Sequence, residues 1–539
     1  MAPNERKILW ADDEIELLRP HILFLEEKGY RVTPVSNGDD AVASAEREKF
    51  DAVLLDESMP GRGGLETLEA IKEHDPGLPV ILVTKNEAES LMDDAIGRRI
   101  SDYLLKPVRP MQIFLALKRV LDGDRLHETR LARDYVAELA RARADAGPAP
   151  DWRRWIEIHT RSAQWDVELD AAGDAGLRQA HADQRRELNV EFCQYVESAY
   201  ESWARPGAGA TATADAAATA VAAAATDRPP LSVDVVERWV APHLRAGKRV
   251  TLVVIDCMRL DQWLTVEPLL RPYFDITLDH QISILPTATP YSRNAIFSGL
   301  FPEEIQQQFP EYWQEISADE RSKNRFERQL LEKLLERLEV PVAPGLKYLK
   351  VSNVEEASHV RRNVVTFQNI PLVAMVFNFL DMLTHGRSES DLLKELAPDE
   401  SAFRSVMRSW FNHSALFDAL KWLSKQDSVV IVTTDHGAVL SRRSSLVYGN
   451  RETSTNLRFK YGGNLGCDGR AAVHLKDPTR FRLPADSLNK HYIIAKEDFY
   501  FIYPTKFHEY ENRYRGSFQH GGISLDEMIL PVATLLPRG

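Results

Sequence analysis

The sequence is poor in cysteine and in long apolar runs. Only three of its 539 residues are cysteines, Cys193, Cys257 and Cys467, and no two of them have CxxC spacing. A disulfide framework and a thiolate metal site are therefore not indicated. No apolar run reaches the length that spans a bilayer, and the first residues lead directly into a strand pattern rather than a signal peptide. We therefore expect a cytoplasmic protein with no membrane partner.

Positive charge is also in short supply. With 67 Lys and Arg against 80 Asp and Glu, the net charge is −13. This balance argues against broad electrostatic attraction to nucleic acid or anionic lipid, although it leaves room for a local basic pocket. No helix-turn-helix pattern follows the first 122 residues. Specific binding to duplex DNA, as by a direct transcription factor, is therefore not expected.

What residues 1–122 do contain is an alternation of strand and helix patterns. Short apolar runs at 7–11, 30–35, 52–55, 80–83 and 102–105 are separated by helical periodicity. Five strands with intervening helices predict a doubly wound parallel sheet. A chain of 539 residues has room for two to four domains, and we expect this segment to be one of them.

Polar residues stand at the ends of these predicted strands. They are Asp12 and Asp13 after the first strand, Asp56 after the third, Thr84 after the fourth and Lys106 after the fifth. Adjacent acids can hold Mg²⁺ beside Asp56, and the metal offsets the crowding of negative charge when Asp56 accepts a phosphoryl group. Thr84 and Lys106 are suited to bind the transferred oxygens.

This pattern resembles the receiver domain of two-component response regulators. The resemblance implies that Asp56 is the phosphoacceptor. The residues that it implies for binding Mg²⁺ or phosphate are Asp12, Asp13, Ser58 (through its carbonyl), Thr84 and Lys106. Tyr103 matches the aromatic residue whose rotamer reports phosphorylation in such domains, and it is equally consistent with a half-buried tyrosine on a strand.

Residues 123–205 change character. Four tryptophans, Trp152, Trp155, Trp165 and Trp203, lie among long helical patterns rich in Arg, Glu, Ala and Leu. The segment predicts a helical bundle in which the tryptophans are packing anchors. Residues 206–230 are an alanine-rich stretch flanked by Gly and Pro. Polyalanine can be helical, but the lack of an amphipathic face favours a flexible linker.

Residues 231–539 have the pattern of a second α/β domain. Apolar strand patterns occupy 249–255, 373–379, 429–434 and 493–503. The run at 429–434 is the clearest, because four consecutive β-branched aliphatic residues indicate a strand buried on both faces. In an open α/β sheet, ligands bind beyond the carboxyl ends of such strands.

Six residues of the kinds that bind metals lie at or near these strand ends. They are Asp256, Asp381, His385, Asp435, His436 and His520. Asp381 and His385 are four residues apart, so they share a face if a helix begins there. Three converging carboxylates would be strongly disfavoured without a cation, and mixed Asp and His ligands suit Zn²⁺ better than Mn²⁺ or Fe²⁺.

A candidate nucleophile precedes a predicted helix. Pro290 is suited to the first helical position. Thr289 then stands at the helix N-terminus, where the dipole and the free amides favour a developing alkoxide and a phosphoryl group. Thr287 and Ser292 remain alternatives, and N-capping would equally explain either threonine.

The order and spacing of these residues resemble the alkaline phosphatase superfamily, more closely its phosphodiesterase and PglZ branches. The resemblance implies one Zn²⁺ on Asp256, Thr289, Asp435 and His436, and a second on Asp381, His385 and His520. It also implies that Thr289 attacks phosphorus and that water then hydrolyses the phospho-threonine.

One residue departs from that pattern. Members of the superfamily commonly use the amide after the nucleophile to hold a phosphate oxygen, and Pro290 has no N–H. We consider Arg259, Arg293 and residues 458–460 as replacements, with surface charge as an equally simple explanation. Arg442, Arg443 and residues 467–470 are further candidate substrate contacts.

A receiver, a helical bundle and a PglZ-type module in this order resemble the PorX family, response regulators linked to type IX secretion. The resemblance implies phosphorylation by a sensor histidine kinase, a homodimer on phosphorylation, zinc binding, and phosphodiesterase action on nucleotides or oligonucleotides. It also implies contact with a sigma factor. We therefore predict four segments, 1–122, 123–205, 206–230 and 231–539, and an enzymatic output controlled by Asp56.

A second hypothesis is a signalling scaffold whose metal-bound module mainly binds a protein partner. The complete set of predicted ligands disfavours it. Pro290 and the lack of an obvious phosphate clamp favour it.

Overall fold

The computed structural model describes residues 6–85, 100–108, 110–114, 116–117, 120–121, 135, 150–172, 175–205, 228–313, 324–387, 390–449, 456–485, 489–505 and 507–538. The chain divides into two compact units, Met1–Asp145 and Ala146–Gly539. No helix in the described part of the chain combines the length and the apolarity that crossing a bilayer requires.

The first unit is built on a five-stranded parallel sheet. Its strands are β1 (Arg6–Ala11), β2 (Tyr30–Val35), β3 (Ala52–Asp56), β4 (Val80–Thr84) and β5 (Asp102–Leu105), in the order β2-β1-β3-β4-β5. The first three connections contain a 3₁₀ helix (Ile15–Leu18), α1 (Arg19–Glu27), α2 (Gly38–Arg47) and α3 (Gly64–His74).

Alternate residues of these strands face opposite sides, so the sheet buries two separate cores. One core contains Trp10 and Leu54, and the other contains Leu9 and Leu55. The predicted doubly wound sheet is confirmed, and every predicted strand bound in this unit is right to within one residue.

The second unit contains the remaining strands. They are β6 (Arg249–Ile255), β7 (Phe274–Ile282), β8 (Leu346–Val351), β9 (Leu372–Phe377), β10 (Ser428–Thr433), β11 (Val439–Ser441), β12 (Arg443–Tyr448), β13 (Phe459–Gly462), β14 (Gly466–Cys467), β15 (Ala472–Leu475), β16 (His491–Ala495), β17 (Phe499–Ile502), β18 (Ser517–Gln519) and β19 (Ile529–Pro537).

Six of these strands form the main sheet, in the order β7-β19-β10-β6-β9-β8. Strands β10, β6, β9 and β8 are parallel, and β19 runs antiparallel to both of its neighbours. Both faces of the sheet are covered by apolar side chains from helices. The smaller sheets pair β11 with β18, β12 with β14 and β17, and β16 with β13 and β15.

Helices of the second unit surround these sheets. They are α4 (Trp152–Ala172), α5 (Ala175–Ala204), α6 (Ala241–Arg245), α7 (Leu260–Leu270), α8 (Thr289–Ser298), α9 (Pro302–Gln308), α10 (Glu327–Arg337), α11 (Val354–Asn363), α12 (Phe379–Arg387), α13 (Asp391–Leu396), α14 (Glu400–His413), α15 (Ala415–Leu423), α16 (Phe507–Tyr514) and α17 (Leu525–Met528). Shorter turns of helix occupy Ser232–Asp234, Val236–Val240, Val364–Asn369 and Pro478–Phe481.

Two predicted strands differ from the structure. The run at 373–379 stops being a strand at Phe377, and Phe379 begins α12, where its ring stacks on Trp410 with centroids 4.3 Å apart. The run at 493–503 is two strands, β16 and β17, separated at Glu497, whose φ of 53° is incompatible with a continuous strand. In both runs the break falls at polar residues that the prediction passed over, Asn378 in the first run and Lys496, Glu497 and Asp498 in the second.

The two middle helices pack on the second unit instead of standing alone. Trp155 and Trp203 are buried in one core with Ile284 and Tyr291, residues that flank the N-terminus of α8. The tryptophans are packing anchors, as predicted. Most of 123–149 and all of 206–227 lie outside the described residues, so the predicted segment boundaries and the flexible linker stay predictions.

Candidate active site

The main sheet brings the predicted ligands of the second unit to one edge. Asp256 directly follows β6, and Asp435 comes two residues after β10. Asp381 lies in the first turn of α12, just beyond β9, and His520 directly follows β18. Because β6, β9 and β10 are parallel, their carboxyl ends meet, and side chains far apart in sequence converge.

The first cluster consists of Asp256, Asp435 and His436. One ligand atom from each lies within 4.8 Å of the others, and all three side chains are buried. His436 Nε2 is 3.7 Å from both Asp256 Oδ1 and Asp435 Oδ2. His436 Nδ1 lies 3.0 Å from the Gly437 carbonyl, so Nδ1 carries the proton and the lone pair of Nε2 points at the carboxylates.

The second cluster consists of Asp381, His385 and His520, whose ligand atoms also lie within 4.8 Å of one another. The two Nε2 atoms are 3.1 Å apart, and they lie 3.3 and 3.5 Å from Asp381 Oδ1. His520 is buried, whereas 46% of the His385 side chain is exposed. The clusters adjoin, because the rings of His436 and His520 stack with centroids 4.1 Å apart.

Electrostatics at the first cluster favour a bound cation. Burial raises the pKa of Asp256, and it raises the pKa of Asp435 to about 6. The buried oxygens Asp256 Oδ1 and Asp435 Oδ2 accept no hydrogen bond from the described residues. Burial also lowers the pKa of His436 to about 4, so its imidazole is neutral and able to coordinate. Unpaired carboxylate oxygens beside a neutral imidazole fit a divalent cation.

Thr289 stands beside the first cluster. It is the first residue of α8, and Ala288 occupies the N-cap position, so N-capping does not explain Thr289. Its Oγ1 lies 3.0 Å from His436 Nε2, and the residue is only half-buried. The hydroxyl of this half-buried residue therefore lies at the cluster.

The two alternative nucleophiles are engaged elsewhere. Thr287 Oγ1 donates to the Gly522 carbonyl at 2.7 Å and accepts from Gly521 N at 3.1 Å. Ser292 is fully buried, with its Oγ 2.9 Å from Ser283 Oγ. Both hydroxyls fix loops, which leaves Thr289 as the candidate.

In the first unit, Asp12, Asp13 and Asp56 form a third group of ligand atoms within 4.8 Å, the receiver cluster. Lys106 Nζ lies 2.8 Å from Asp12 Oδ2 and 2.9 Å from Asp56 Oδ2. Burial raises the pKa of Asp56 and the charge of Asp12 adds to the effect, while Lys106 opposes it. The predicted acid pair, phosphoacceptor and lysine are therefore brought together.

The remaining predicted residues of this site lie around that cluster. Thr84 is nearly buried at the end of β4, and its hydroxyl donates to the Glu57 carboxylate. Ser58, two residues beyond Asp56, is exposed, and 40% of Tyr103 is exposed on the edge strand β5. Glu57 is thus the hydrogen-bond partner of Thr84, and no feature of the sequence marked it.

Comparison with known families decides what the second unit is. The model of the BREX system PglZ alkaline phosphatase-like domain matches residues 235–535, more than half of the chain. The chain belongs to the PglZ alkaline phosphatase-like family. The response regulator receiver domain matches residues 8–118, and the PorX response regulator linker domain matches residues 125–204. The predicted PorX-like order of receiver, linker and PglZ module is confirmed, and the protein is a two-component response regulator, the class that a cognate sensor kinase serves.

Curated relatives match the receiver end. The transcriptional regulatory protein ResD of Bacillus subtilis is 34% identical over 118 residues, 22% of this chain and 49% of its own. The transcriptional regulatory protein ZraR of Klebsiella oxytoca is 29% identical over 212 residues, 38% of this chain and 47% of its own. The chain therefore spans about half the length of these relatives. A CheY-like receiver domain protein from Methanospirillum hungatei is 28% identical, with 22% of this chain and 96% of that one covered and a TM-score of 0.22.

Five of the arginines considered as phosphate or substrate contacts pair with carboxylates of the PglZ module. Arg259 bonds Asp261 and Glu400 at 2.9 and 2.6 Å, and Arg458 bonds Glu527 at 2.6 Å. Arg443 pairs with Glu497 and Asp498, and Arg470 pairs with Asp468. Asp261 and Asp468 lie two residues from their arginines, whereas tertiary packing brings the other partners close, and the sequence alone does not separate such ion pairs from substrate contacts.

Arg293 is the one arginine of that group at the first cluster. It bonds Asp256 Oδ2 and Glu327, which leaves Asp256 Oδ1 directed toward His436. Asn324 joins the same network, donating to Glu327 Oε1 at 3.0 Å and to the Thr289 carbonyl at 3.1 Å. Arg293 therefore orients a predicted ligand.

Glu527 is a second buried support that sequence reasoning missed. Its carboxylate accepts from Gly522 N at 2.8 Å and from Arg458, and it thereby fixes the loop that carries His520. No local pattern marks Glu327, Asn324 or Glu527, because each acts on residues brought close only by the fold.

Proposed function

We propose that the PglZ module is a metal-dependent phosphodiesterase and that Thr289 is its nucleophile. The observation that carries the proposal is the Thr289 hydroxyl 3.0 Å from a predicted metal ligand, His436, at the N-terminus of α8. Asp256, Thr289, Asp435 and His436 would hold one Zn²⁺, and Asp381, His385 and His520 a second. Bound zinc supplies Lewis acidity, and mixed carboxylate and imidazole ligands suit it.

The roles of the chain's own groups follow from this arrangement. Thr289 Oγ would lose its proton to water and form a bond to phosphorus as the in-line bond to the leaving oxygen breaks, and the released alkoxide would take a proton from water. A further water would then hydrolyse the phospho-threonine, which restores the Thr289 hydroxyl and releases the phosphomonoester. Arg293 keeps Asp256 in orientation, and Nδ1 of His436 holds its proton on the Gly437 carbonyl throughout. The helix N-terminus favours the negative charge of the phosphoryl group.

Charge favours a diester over a monoester as substrate. Pro290 provides no amide, and Arg259, Arg293 and Arg458 are each committed to a buried carboxylate. Among the described residues, none of these three cations is available to neutralise the second charge of a monoester dianion, whereas a diester carries a single charge. We propose nucleotides or oligonucleotides as the source of that diester.

The test is hydrolysis of a chromogenic phosphodiester by the zinc-loaded full chain. Thr289→Ala should abolish turnover, at least 10³-fold, while elemental analysis still finds two zinc ions. The control is Thr366→Ala, an exposed threonine whose hydroxyl donates to the Asn363 carbonyl of its own helical turn. Turnover that survives Thr289→Ala would reject Thr289 as the nucleophile.

For the receiver, we propose that a sensor histidine kinase phosphorylates Asp56 with Mg²⁺ at the receiver cluster, and that phosphorylation promotes a homodimer. The support is the convergence of Asp12, Asp13, Asp56 and Lys106. Beryllofluoride, which mimics the phosphoryl group, should convert monomer to dimer in light scattering. An unchanged mass would remove dimerisation as the switch. Contact with a sigma factor in type IX secretion signalling is part of the same proposal.

The lack of a committed phosphate clamp also supports a second candidate, a metal-bound scaffold that binds a protein partner. In that case zinc would bind with full stoichiometry and no phosphoester in a panel of monoesters, cyclic dinucleotides and oligonucleotides would be hydrolysed.

A further inference from the structure

Helix α5 of the linker is fastened along the segment that follows His520. Three pairs make the connection: Arg185 Nη2 donates to Asp526 Oδ1 and Oδ2 at 2.6 and 2.7 Å, Leu525 N donates to Asn189 Oδ1 at 2.9 Å, and Cys193 Sγ donates to Ile523 O at 3.1 Å. The three helix residues are spaced by four, so they form one stripe along α5. The segment is therefore held by the linker helix at consecutive points.

The same segment packs directly on the loop of the first cluster. A Cβ built on Gly437 would lie 1.9 Å from the Asp526 carbonyl oxygen, and Gly437 N donates to Glu527 O at 3.2 Å. At this distance the two backbones cannot move independently. A displacement of Asp526 must therefore displace Gly437 and the adjoining His436.

A second point on α5 reaches the loop of the nucleophile. The fully buried Tyr200 accepts a hydrogen bond from Leu285 N at 2.8 Å through its hydroxyl. Leu285 begins the stretch that runs through Thr287 to Thr289. A single helix thus contacts both the metal-ligand loop and the nucleophile loop.

The Arg185 contact is a demanding one. Its guanidinium also lies 3.0 Å from Asp166 Oδ2 and 3.4 Å from Glu400 Oε1, and about nine-tenths of the Arg185 side chain is buried. The bidentate bond to Asp526 uses the planar fork of an arginine, which a lysine ammonium cannot reproduce.

We propose that Arg185 and Tyr200 are positioning residues through which the linker helix sets, respectively, the geometry of the first metal cluster and that of Thr289. The role of Tyr200 rests on the proposed function, because its test measures catalysis. The role of Arg185 rests on metal binding alone. Helix α5, in the segment that matches the PorX linker domain, thereby positions residues of the active site.

The first experiment measures zinc affinity of the full chain by chelator competition. We assign the tighter binding phase to the first cluster, whose three side chains are all buried. Arg185→Lys should weaken that phase by about tenfold or more and leave the weaker phase within twofold. The matched control is Arg186→Lys, the neighbouring arginine, which is half-exposed and bonds Asp183 of its own helix. If a folded Arg185→Lys protein binds zinc as the control does, the role of Arg185 is overturned.

The second experiment separates the nucleophile loop from the metal. Tyr200→Phe leaves Leu285 N without its acceptor, and it should lower kcat for the chromogenic diester by 10- to 100-fold while KM and zinc affinity stay within twofold. Tyr195→Phe, on the same helix, is the control. A kcat within twofold of wild type, or a parallel fall in zinc affinity, would overturn the role of Tyr200. A wild-type protein that binds zinc and hydrolyses nothing would reject the proposed function and leave the Arg185 result standing.

Discussion

The receiver cluster and the PglZ clusters gather similar ligands and compensate their charge differently. In the receiver cluster, Lys106 lies within 2.9 Å of both Asp12 and Asp56. In the second PglZ cluster, Asp381 is paired with two imidazoles, which carry no obligatory charge. Because the Lys106 ammonium already balances part of the negative charge, Mg²⁺ and phosphate can bind reversibly at the receiver cluster, as a switch requires. In the first PglZ cluster, Arg293 bonds Asp256 Oδ2, but Asp256 Oδ1 and Asp435 Oδ2 accept no hydrogen bond from the described residues, so these two oxygens depend on a bound cation.

The largest effect should come from removing metal. Chelation should lower the melting temperature of the Ala146–Gly539 unit by about 10 °C or more, because each ion at 1,000 times its Kd contributes about 4 kcal/mol. The receiver should shift by less than about 2 °C, since Lys106 already compensates its acids. Calorimetry with dipicolinate and then with added zinc measures both transitions. Equal shifts in the two units would break the comparison.

The effect of Asp435→Asn on the free energy of unfolding should change sign when metal is bound. Burial raises the pKa of Asp435 to about 6, above its value near 4 in the unfolded chain. Stability from this group is therefore full below pH 4 and is lost as pH rises through 6, a loss on the order of 3 kcal/mol at pH 7.

Without metal, Asp435→Asn should therefore be more stable than wild type at pH 7 and equal to it near pH 4. With zinc the order at pH 7 should invert, because the carboxylate is then a ligand. Urea unfolding at pH 4, 5.5 and 7 measures this. A metal-free variant that is less stable than wild type at pH 7 would contradict the assignment.

Lys106→Met tests the built-in cation of the receiver. It should weaken beryllofluoride binding by about tenfold or more, about 1.4 kcal/mol, since the ammonium can no longer bind the anion. It should also tighten Mg²⁺ binding, because two acids lose their partner. Calorimetric titration measures both, with the exposed Lys49→Met as control. A simultaneous loss of Mg²⁺ binding would indicate a damaged site instead.

Glu57→Gln should have the smallest effect. The Thr84 hydroxyl donates to the Glu57 carboxylate, and a neutral amide acceptor holds it less firmly. Release of Thr84 toward the phosphoryl oxygens should tighten beryllofluoride binding about two- to fivefold. Glu48→Gln, which affects a surface pair with Lys7, serves as control. Weaker binding would mean that Glu57 assists Thr84 instead of retaining it.

The sequence supported the elements and the ligand sets because both are written locally. Runs such as 429–432 specify buried strands by their own side chains, and Asp256 and Asp435 stand where such strands end. The topology then brings the ends together without further information. This is why all six metal-ligand candidates converge in the two predicted groups.

The supports of the site could not be predicted in the same way. Arg185 and Asp526 are 341 residues apart, and Arg293 and Asp256 are 37 apart, with no periodic relation. An arginine in a sequence is equally suited to bind a substrate or a buried carboxylate. Packing in the folded chain decides between these two roles, and here the candidate phosphate contacts pair with carboxylates of the chain.

The exposure of His385 has a consequence for how the output is governed. An ion in the second cluster could leave past a half-open imidazole, whereas one in the first cluster is enclosed by buried side chains. Loading would then be sequential, and scarcity would empty the outer position first. Such a half-loaded protein would keep its fold and its nucleophile but lack the second of the two proposed ions. Phosphorylation of the receiver would then be one input to the output module, and the occupancy of the second cluster, set by the zinc supply of the cell, would be another.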